Sequence, residues 1–118
     1  MMAGRPYPIT AYSLCNALGL TTAEPRAILE VLGDDVPVVS TKGYTGHLLA
    51  AGGATEAIFG ILALERGRVP ASLGAAPPDE AIGMRIPLEC AEHACRTMLS
   101  NSFGFGGSNA SVLLGRAP

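Results

Sequence analysis

The sequence is poor in charged residues, which make up only 15% of the chain, whereas hydrophobic residues make up 48%. A small soluble protein normally carries more charge than this on its surface. The simplest explanation is that part of the apolar surface faces another protein chain. With 118 residues, the chain has room for one domain at most.

An excess of basic residues is also lacking. Eight Lys and Arg residues stand against ten Asp and Glu residues, which leaves a formal net charge of −2. The basic residues are scattered along the chain, and no stripe of the kind that binds nucleic acid is present. We therefore expect no nucleic-acid partner. A local pair of arginines could still contact an acidic carrier protein.

Segments for export or for crossing a membrane are missing too. The first ten residues, MMAGRPYPIT, contain no continuous apolar stretch of the kind found in signal peptides. Residues 48–64 are apolar, but glycines, Thr55 and Glu56 interrupt them, and they are shorter than the roughly 20 residues that a span requires. The sequence predicts a cytoplasmic protein without a membrane span.

The cysteines do not form a recognisable site. Cys15, Cys90 and Cys95 are an odd number, and His93 lies between the last two. Cys90, His93 and Cys95 could supply three ligands, but no second cluster of ligands completes a zinc site, which commonly has four. Reduced thiols of a cytosolic protein are the simpler interpretation, and we expect no metal site.

The first third of the chain is predicted to contain one helix and one strand. Residues 1–20 are predicted to form an irregular arm, because two prolines discourage regular structure at its start. A short helix then runs from an N-cap at Thr22 to a glycine stop at Gly33. Residues 36–40 are typical of a buried strand. We therefore divide the chain into an arm with a short helix, 1–33, and a main unit, 34–118.

The main unit is predicted to be an α/β layer structure. A helix is expected from His47 to Arg66, and its apolar residues cover nearly the whole circumference, which is typical of a helix buried on all sides. Such a helix fits a central layer between sheets. The remaining apolar runs predict strands, of which the last two would pair as a hairpin: 84–88, 96–101 and 110–114.

The first segment that could carry chemistry is Ser40-Thr41-Lys42-Gly43-Tyr44-Thr45-Gly46-His47, a polar loop that leads into the long helix. A histidine at a helix N-terminus is kept neutral by the helix dipole and can donate a hydrogen bond to a carbonyl oxygen. Lys42 would add positive charge at the same place, and Glu56 could pair with it. On spacing alone, a capping histidine with a solvated lysine is the simpler interpretation.

The second segment is the glycine-rich run from Asn101 to Asn109, NSFGFGGSN. Glycines around aromatic residues allow positive φ and let backbone N–H groups approach a ligand, which suits an oxyanion hole. The run is not a dinucleotide-binding motif, because the third glycine is replaced by Asn109 and no helix follows. On its own, such a run is more often a tight connection between strands.

Together the two segments resemble the C-terminal part of the β-ketoacyl synthase family. The resemblance lies in STKGYTGHLLAAGGATEAIFGILALERGRVPASL and MLSNSFGFGGSNASVLL, which contain the family's K-x-x-x-G-H segment and its N-S-F-G-F-G-G-[ST]-N loop in the family order. It covers residues 36–115, whereas residues 1–33 match weakly. The resemblance implies a thiolase-like layered α/β sandwich, of which this chain supplies the C-terminal half with a buried central helix.

The resemblance also implies roles for individual residues. His47 would polarise a thioester carbonyl and assist decarboxylation of a malonyl extender, with Lys42 as the active-site lysine and Glu56 as its acidic partner. Phe105 would be the gating phenylalanine and would contribute its N–H to the oxyanion hole. The rest of the gating loop would be Phe103, Gly104, Gly106 and Gly107. The substrate would be an acyl-phosphopantetheine thioester on an acyl carrier protein, and no further cofactor is expected.

Two family features are absent from the sequence. A synthase needs a nucleophilic cysteine at a strand-to-helix elbow, and none of the three cysteines has that setting. The family's second histidine, in an H-G-T motif, would fall near Ser13, where no such motif occurs. The active site implied by the resemblance is therefore incomplete in this chain.

Three functional hypotheses follow. In the first, the chain is the C-terminal subunit of a split or truncated synthase, an acyltransferase of fatty-acid or polyketide biosynthesis that binds an N-terminal half carrying the cysteine. In the second, it is a non-catalytic partner that resembles a chain-length factor or binds a carrier protein. In the third, it is a small independent enzyme that uses His47 without covalent catalysis. The retained histidine and lysine favour the first.

Overall fold

The computed structural model of the protein describes residues 9–12, 23–104 and 106–117. Two short 3₁₀ turns, Leu49–Ala51 and Glu80–Ile82, lie between the helices and strands. The helices and strands follow in this order: β1 Ile9–Tyr12, α1 Ala23–Leu32, β2 Val38–Val39, α2 Lys42–Thr45, α3 Gly52–Arg66, β3 Arg68–Val69, β4 Ala91–Glu92, β5 Thr97–Phe103 and β6 Asn109–Gly115.

The main sheet has four strands in the order β2-β1-β5-β6. Strand β1 runs parallel to both of its neighbours, β2 and β5. Strands β5 and β6 are antiparallel, with Thr97 opposite Gly115 and Phe103 opposite Asn109. The predicted hairpin of the last two strands is confirmed, and both strands are longer than the sequence pattern indicated.

The N-terminal region contains a strand that the sequence pattern did not predict. The arm was expected to be irregular over residues 1–20, but β1 occupies Ile9–Tyr12. Its hydrogen bonds go to β2 and β5, which are distant in the sequence, so no local pattern reveals them. The predicted helix is confirmed as α1, which ends at Leu32, and Gly33 directly after it has a φ of 80°. The N-cap expected at Thr22 lies outside the described residues.

Helices α1 and α3 cover opposite faces of the main sheet. Successive residues of a strand point to opposite faces. Accordingly, Val38 packs with Ile28 of α1, and Val39 packs in a second cluster with Leu64 of α3. The second cluster also contains Val69, Cys95 and Met98. The arrangement is an α/β structure with one helix on each side of the sheet.

Helix α3 is shorter and more exposed than predicted. It begins at Gly52, five residues after the predicted start at His47. Its buried positions are Glu56, Gly60, Ala63 and Leu64, whereas Ile58, Ile61 and Leu62 on the other side are exposed. The expectation that the helix is buried on all sides is therefore wrong for the described part of the chain, in which only the side with Glu56, Gly60, Ala63 and Leu64 is packed.

Three other segments differ from or refine the predictions. The strand expected over 84–88 is absent, and this stretch instead forms isolated backbone hydrogen bonds, such as Val38 N–H to the Arg85 carbonyl at 2.9 Å. The strand expected over 36–40 is limited to β2. The predicted polar loop from Lys42 to Gly46 instead forms the short helix α2. A Cβ added at Gly43 in this helix would overlap the Leu73 carbonyl.

None of the helices described is both long and apolar enough to cross a membrane.

Candidate active site

The candidate site lies where α2, the start of α3 and the end of β5 meet. The chain leaves β2, passes the buried Thr41 and enters α2, and Gly46, with a φ of 72°, ends that helix. A pocket opens between this segment and β5. Its walls bring together four of the predicted site residues, Lys42, His47, Glu56 and Phe103, with four others, Leu49, Gly52, Gly53 and Ser102. The predicted Gly104, Gly106 and Gly107 are not among its lining residues.

Lys42 and Glu56 form an ion pair in this pocket. Lys42 Nζ lies 2.9 Å from Glu56 Oε1, and the side chains are 20% and 5% exposed. Glu56 lies on the sheet-facing side of α3, so its carboxylate is nearly out of contact with solvent. Removing either partner would leave a poorly solvated charge. The pair therefore fixes the lysine ammonium group at the pocket wall.

The imidazole of His47 accepts a hydrogen bond from the backbone. The Leu49 N–H donates to His47 Nδ1 at 3.1 Å. A ring nitrogen that accepts a hydrogen bond carries no proton, so the proton of the neutral ring resides on Nε2. His47 lines the pocket, and in this tautomer its Nε2–H can donate to a carbonyl oxygen.

This arrangement corrects the basis on which a neutral His47 was predicted. The dipole of a helix acts mainly within its first turn, and α3 begins only at Gly52. His47 precedes the helix and the 3₁₀ turn Leu49–Ala51. The group next to the ring is therefore the backbone N–H of Leu49, which donates to Nδ1, and not the terminus of α3.

The glycine-rich segment forms the turn between β5 and β6. The Gly104 N–H donates to the Ser108 carbonyl at 2.6 Å, and Gly106 and Gly107 have φ values of 86° and 88°. These left-handed values explain why the turn contains glycine at both positions. Phe103 is 47% exposed and lines the pocket. Phe105 lies outside the described residues, so its gating and oxyanion roles stay predictions.

Four residues of the pocket were missed by the sequence analysis as site residues: Leu49, Gly52, Gly53 and Ser102. Ser102 lies on the same face of β5 as Met98, and a Cβ atom at Gly53 would come within 3.2 Å of its Oγ. The period of two along β5 was the signal that could have identified Ser102 as facing α3. For Leu49, whose importance lies in its backbone N–H, no sequence signal was available.

The cysteines of the described chain do not line this pocket. Cys95 is buried in the core cluster, and Cys90 is exposed. His93, between them, has a buried Nε2 without a hydrogen-bond partner, and burial together with the nearby positive charge of Arg85 lowers its pKa. In the part of the chain that the structure describes, no three His, Cys, Asp or Glu side chains are placed to hold a metal ion.

Comparisons with known proteins identify relatives of this chain. A family model described as the C-terminal domain of β-ketoacyl synthases matches residues 19–76. The 3-oxoacyl-[acyl-carrier-protein] synthase 1 of Escherichia coli K12 is 45% identical over 93 residues, which cover 77% of this chain and 23% of that protein. The chain therefore spans about a quarter of the length of the curated relatives it matches.

Solved structures share the fold. A β-ketoacyl synthase from Burkholderia phymatum superposes with a TM-score of 0.84 at 28% identity, over 93% of this chain and 28% of that one. A second match is a chain from the solved complex of a type II polyketide synthase acyl carrier protein with its hexaketide-bound ketosynthase. It superposes with a TM-score of 0.80 at 29% identity, over 93% of this chain and 28% of that one. The thiolase-like α/β fold expected from the resemblance is confirmed.

Proposed function

The chain belongs to the β-ketoacyl synthase family, and we propose that it supplies the C-terminal part of an acyl-transferring condensing enzyme. In this role it contributes His47, the Lys42–Glu56 pair and the turn between β5 and β6 to the joining of an acyl thioester with a malonyl-type extender. The product would enter fatty-acid or polyketide synthesis. The function resides in the complete synthase, because the chain has only part of the machinery.

The observation that carries this proposal is the Nε2–H tautomer of His47 next to the ion pair. Condensation by this route places negative charge on a thioester oxygen when the extender loses carbon dioxide. A fixed N–H donor stabilises such charge, and an oriented donor of this kind commonly contributes about 10²–10³ in rate. The ammonium group of Lys42, held by Glu56 at 2.9 Å, adds positive potential to the same pocket.

The nucleophile must come from outside the described pocket. A cysteine is needed to carry the acyl group, and neither Cys90 nor Cys95 lines the pocket. We assign this cysteine to a complementary synthase part, which would assemble with this chain as a hetero-oligomer. The exposed apolar side of α3 supports an assembly of this kind. Because a similar ketosynthase binds its acyl carrier protein, a carrier protein is the proposed donor of the substrate.

A chimeric enzyme tests the proposal without knowledge of the natural partner. Residues 34–118 replace the corresponding C-terminal part of the E. coli 3-oxoacyl-[acyl-carrier-protein] synthase 1, which supplies the remaining machinery. We expect the chimera to load an acyl group and to condense it with malonyl-carrier protein. His47→Ala should lower the condensation rate about 10²–10³-fold and leave acyl loading unchanged.

The controls separate loss of function from loss of structure. Thermal unfolding of the chimera and of its His47→Ala variant should give the same midpoint, because His47 is exposed and outside the core. If the folded variant condenses as fast as the parent chimera, the proposed role of His47 is wrong.

A non-catalytic role is the second candidate, and the position of the cysteines favours it. A ketosynthase-like partner that resembles a chain-length factor needs no nucleophile, and the described cysteines are both away from the pocket. In the same experiment, this role predicts a folded chimera that loads acyl groups but does not condense them, with or without His47.

A further inference from the structure

The two edges of the main sheet differ in how they are protected. Strand β2, at one edge, has only two residues and directly follows Pro37. Its Val38 N–H donates to the Arg85 carbonyl at 2.9 Å, so a neighbouring segment already covers this edge. Short strands, prolines and covering segments are common means by which proteins prevent a sheet edge from pairing with another strand. The edge at β2 is therefore blocked.

Strand β6, at the other edge, has none of these features. Its seven residues, Asn109–Gly115, include no charged residue and no proline. Each of them is paired with a residue of β5 in a continuous register, so no bulge interrupts the strand. Within the described sheet, β5 is the only neighbour of β6. A long, regular and uncharged edge of this kind is a template for a further strand.

The hydrogen bonds at the two ends of the hairpin show which backbone groups of β6 point away from the sheet. The Ser108 carbonyl accepts from the Gly104 N–H, and the Arg116 N–H donates to the Arg96 carbonyl. In an antiparallel pair, alternate residues bond to the neighbouring strand, so the even-numbered residues of β6 bond to β5. The backbone groups that point outward are those of the odd-numbered residues: Asn109, Ser111, Leu113 and Gly115.

The side chains of β6 are apolar on both faces of the sheet. Leu114 lies on the face of α3, where it packs against the core cluster, and Val112 on the same face is 46% exposed. Leu113 lies on the opposite face and is 62% exposed. Apolar residues on both faces are typical of a strand in the interior of a sheet. The side chains and the outward backbone groups therefore both fit a further strand beside β6.

We propose that β6 pairs with β6 of a second copy of this chain, in antiparallel orientation about a two-fold axis at Leu113. In this register the two copies of Leu113 exchange backbone hydrogen bonds, and Leu114 of each copy lies opposite Val112 of the other. The two four-stranded sheets become one continuous sheet. The inference goes beyond the proposed function and does not depend on it, because it requires only the sheet of this chain.

The distribution of charge identifies a second copy as the occupant. Residues 97–115 contain no charged residue, so β6 offers nothing to attract a strongly acidic or basic strand. The first charge after β6 is that of Arg116. About an axis at Leu113, this residue lies opposite Ala110 of the other copy, and no like charges meet across the axis. An identical strand therefore pairs with β6 without repulsion and with apolar residues opposite one another.

Analytical ultracentrifugation of the 118-residue chain tests the self-association. The average mass should rise from the monomer value of 12.1 kDa towards twice that value as the concentration is raised. Because one pair of strands makes a small interface, we expect a dissociation constant of about 10⁻⁵–10⁻³ M. A mass that stays at the monomer value up to about 1 mM would overturn the proposal.

Two substitutions at the axis test the site of association. Leu113→Pro removes an outward N–H but no hydrogen bond to β5, so the chain should fold and associate about tenfold or more weakly. Leu113→Lys keeps the N–H but places like charges opposite each other, and it should weaken association to a similar extent. Circular dichroism shows whether each variant is folded.

The alternative is that the copies meet through the exposed side of α3. Ile61→Ser changes that side and should leave the dissociation constant unchanged if the proposal is right. An Ile61→Ser variant that no longer associates, together with a folded Leu113→Lys variant that associates like the parent, would show that β6 is not the interface.

Amide hydrogen exchange tests the register in the unaltered chain. The outward N–H groups of Ser111 and Leu113 should exchange about fivefold more slowly at roughly ten times the dissociation constant than in the monomer, since only the monomer leaves them open. The Val112 and Leu114 N–H groups bond to β5 in the monomer as well, so they should be protected at every concentration. If exchange at Ser111 and Leu113 does not depend on concentration while the mass doubles, the copies associate elsewhere and the proposal is wrong.

Discussion

The two sides of α3 differ in how they are packed. On the side that faces the sheet, Gly60 touches Met98 so closely that an added Cβ would overlap the methionine Cε. Leu64 on the same side is 4% exposed. On the other side, Ile58 and Ile61 are about half exposed to solvent and have no comparable packing.

This difference separates what folds the chain from what the chain offers to a partner. The packed side fixes the position of the helix on the sheet, and through Glu56 it brings the start of α3 to Lys42. The exposed side adds nothing comparable to the fold of this chain. Its apolar residues are best explained by a second protein part that covers them, as in larger proteins with a central helix layer.

The largest effect is expected on the packed side, at the ion pair. Glu56→Gln breaks the ion pair with Lys42, whose side chain and that of Glu56 are 20% and 5% exposed, so the free energy of unfolding should fall by about 3 kcal/mol. Chemical denaturation of the 118-residue chain measures this loss. The double variant Lys42→Met with Glu56→Gln should recover part of it, because both charges of the pair are then removed.

A fully stable Glu56→Gln variant would show that water or a movement of the lysine compensates the charge. In that case the packed side of α3 would tolerate changes as well as the exposed side does. The difference in packing between the two sides of α3 would then not apply to the Lys42–Glu56 pair.

A smaller loss is expected from a single methyl group at Gly60. Because Met98 is 1% exposed, it has little room to move away from a new Cβ. Overpacking should exceed the gain in helix propensity, so Gly60→Ala should lower the free energy of unfolding by about 2 kcal/mol.

Gly52→Ala is the matched control, since no atom lies within 4 Å of its added Cβ. It should be neutral or slightly stabilising. A Gly60→Ala variant that is as stable as Gly52→Ala would contradict the close packing inferred between α3 and β5.

The parts of the site that could be predicted from sequence are those whose chemistry is local. Lys42 and His47 are five positions apart in one segment, and the three glycines of the β5–β6 turn lie within residues 104–107. Motifs of this kind can be recognised from the order of residue types in the sequence. The hairpin could be predicted for the same reason, because its two strands are neighbours in the chain.

The remaining features depend on interactions between distant segments or on backbone geometry. Strand β1 exists because Ile9–Tyr12 pairs with Thr97–Ser100, a contact that no local pattern contains. The start of α3 was placed five residues too early, because His47 to Ala51 are apolar enough to continue a helical pattern. The φ of Leu49, on which the His47 hydrogen bond depends, is not encoded in residue type.

The smallest effect is expected on the exposed side of α3, and it depends on context. Ile61→Ser should change the free energy of unfolding of the separate chain by less than about 0.5 kcal/mol, since the side chain is 44% exposed. In the chimera the same change should cost about 1 kcal/mol or more, because the serine would then be covered by the complementary part. Val31→Ser on α1, at a residue that is 78% exposed, serves as the matched control in the separate chain and should be neutral there. If Ile61→Ser costs no more in the chimera than in the separate chain, this side of α3 is not the docking surface, and the apolar residues there need another explanation.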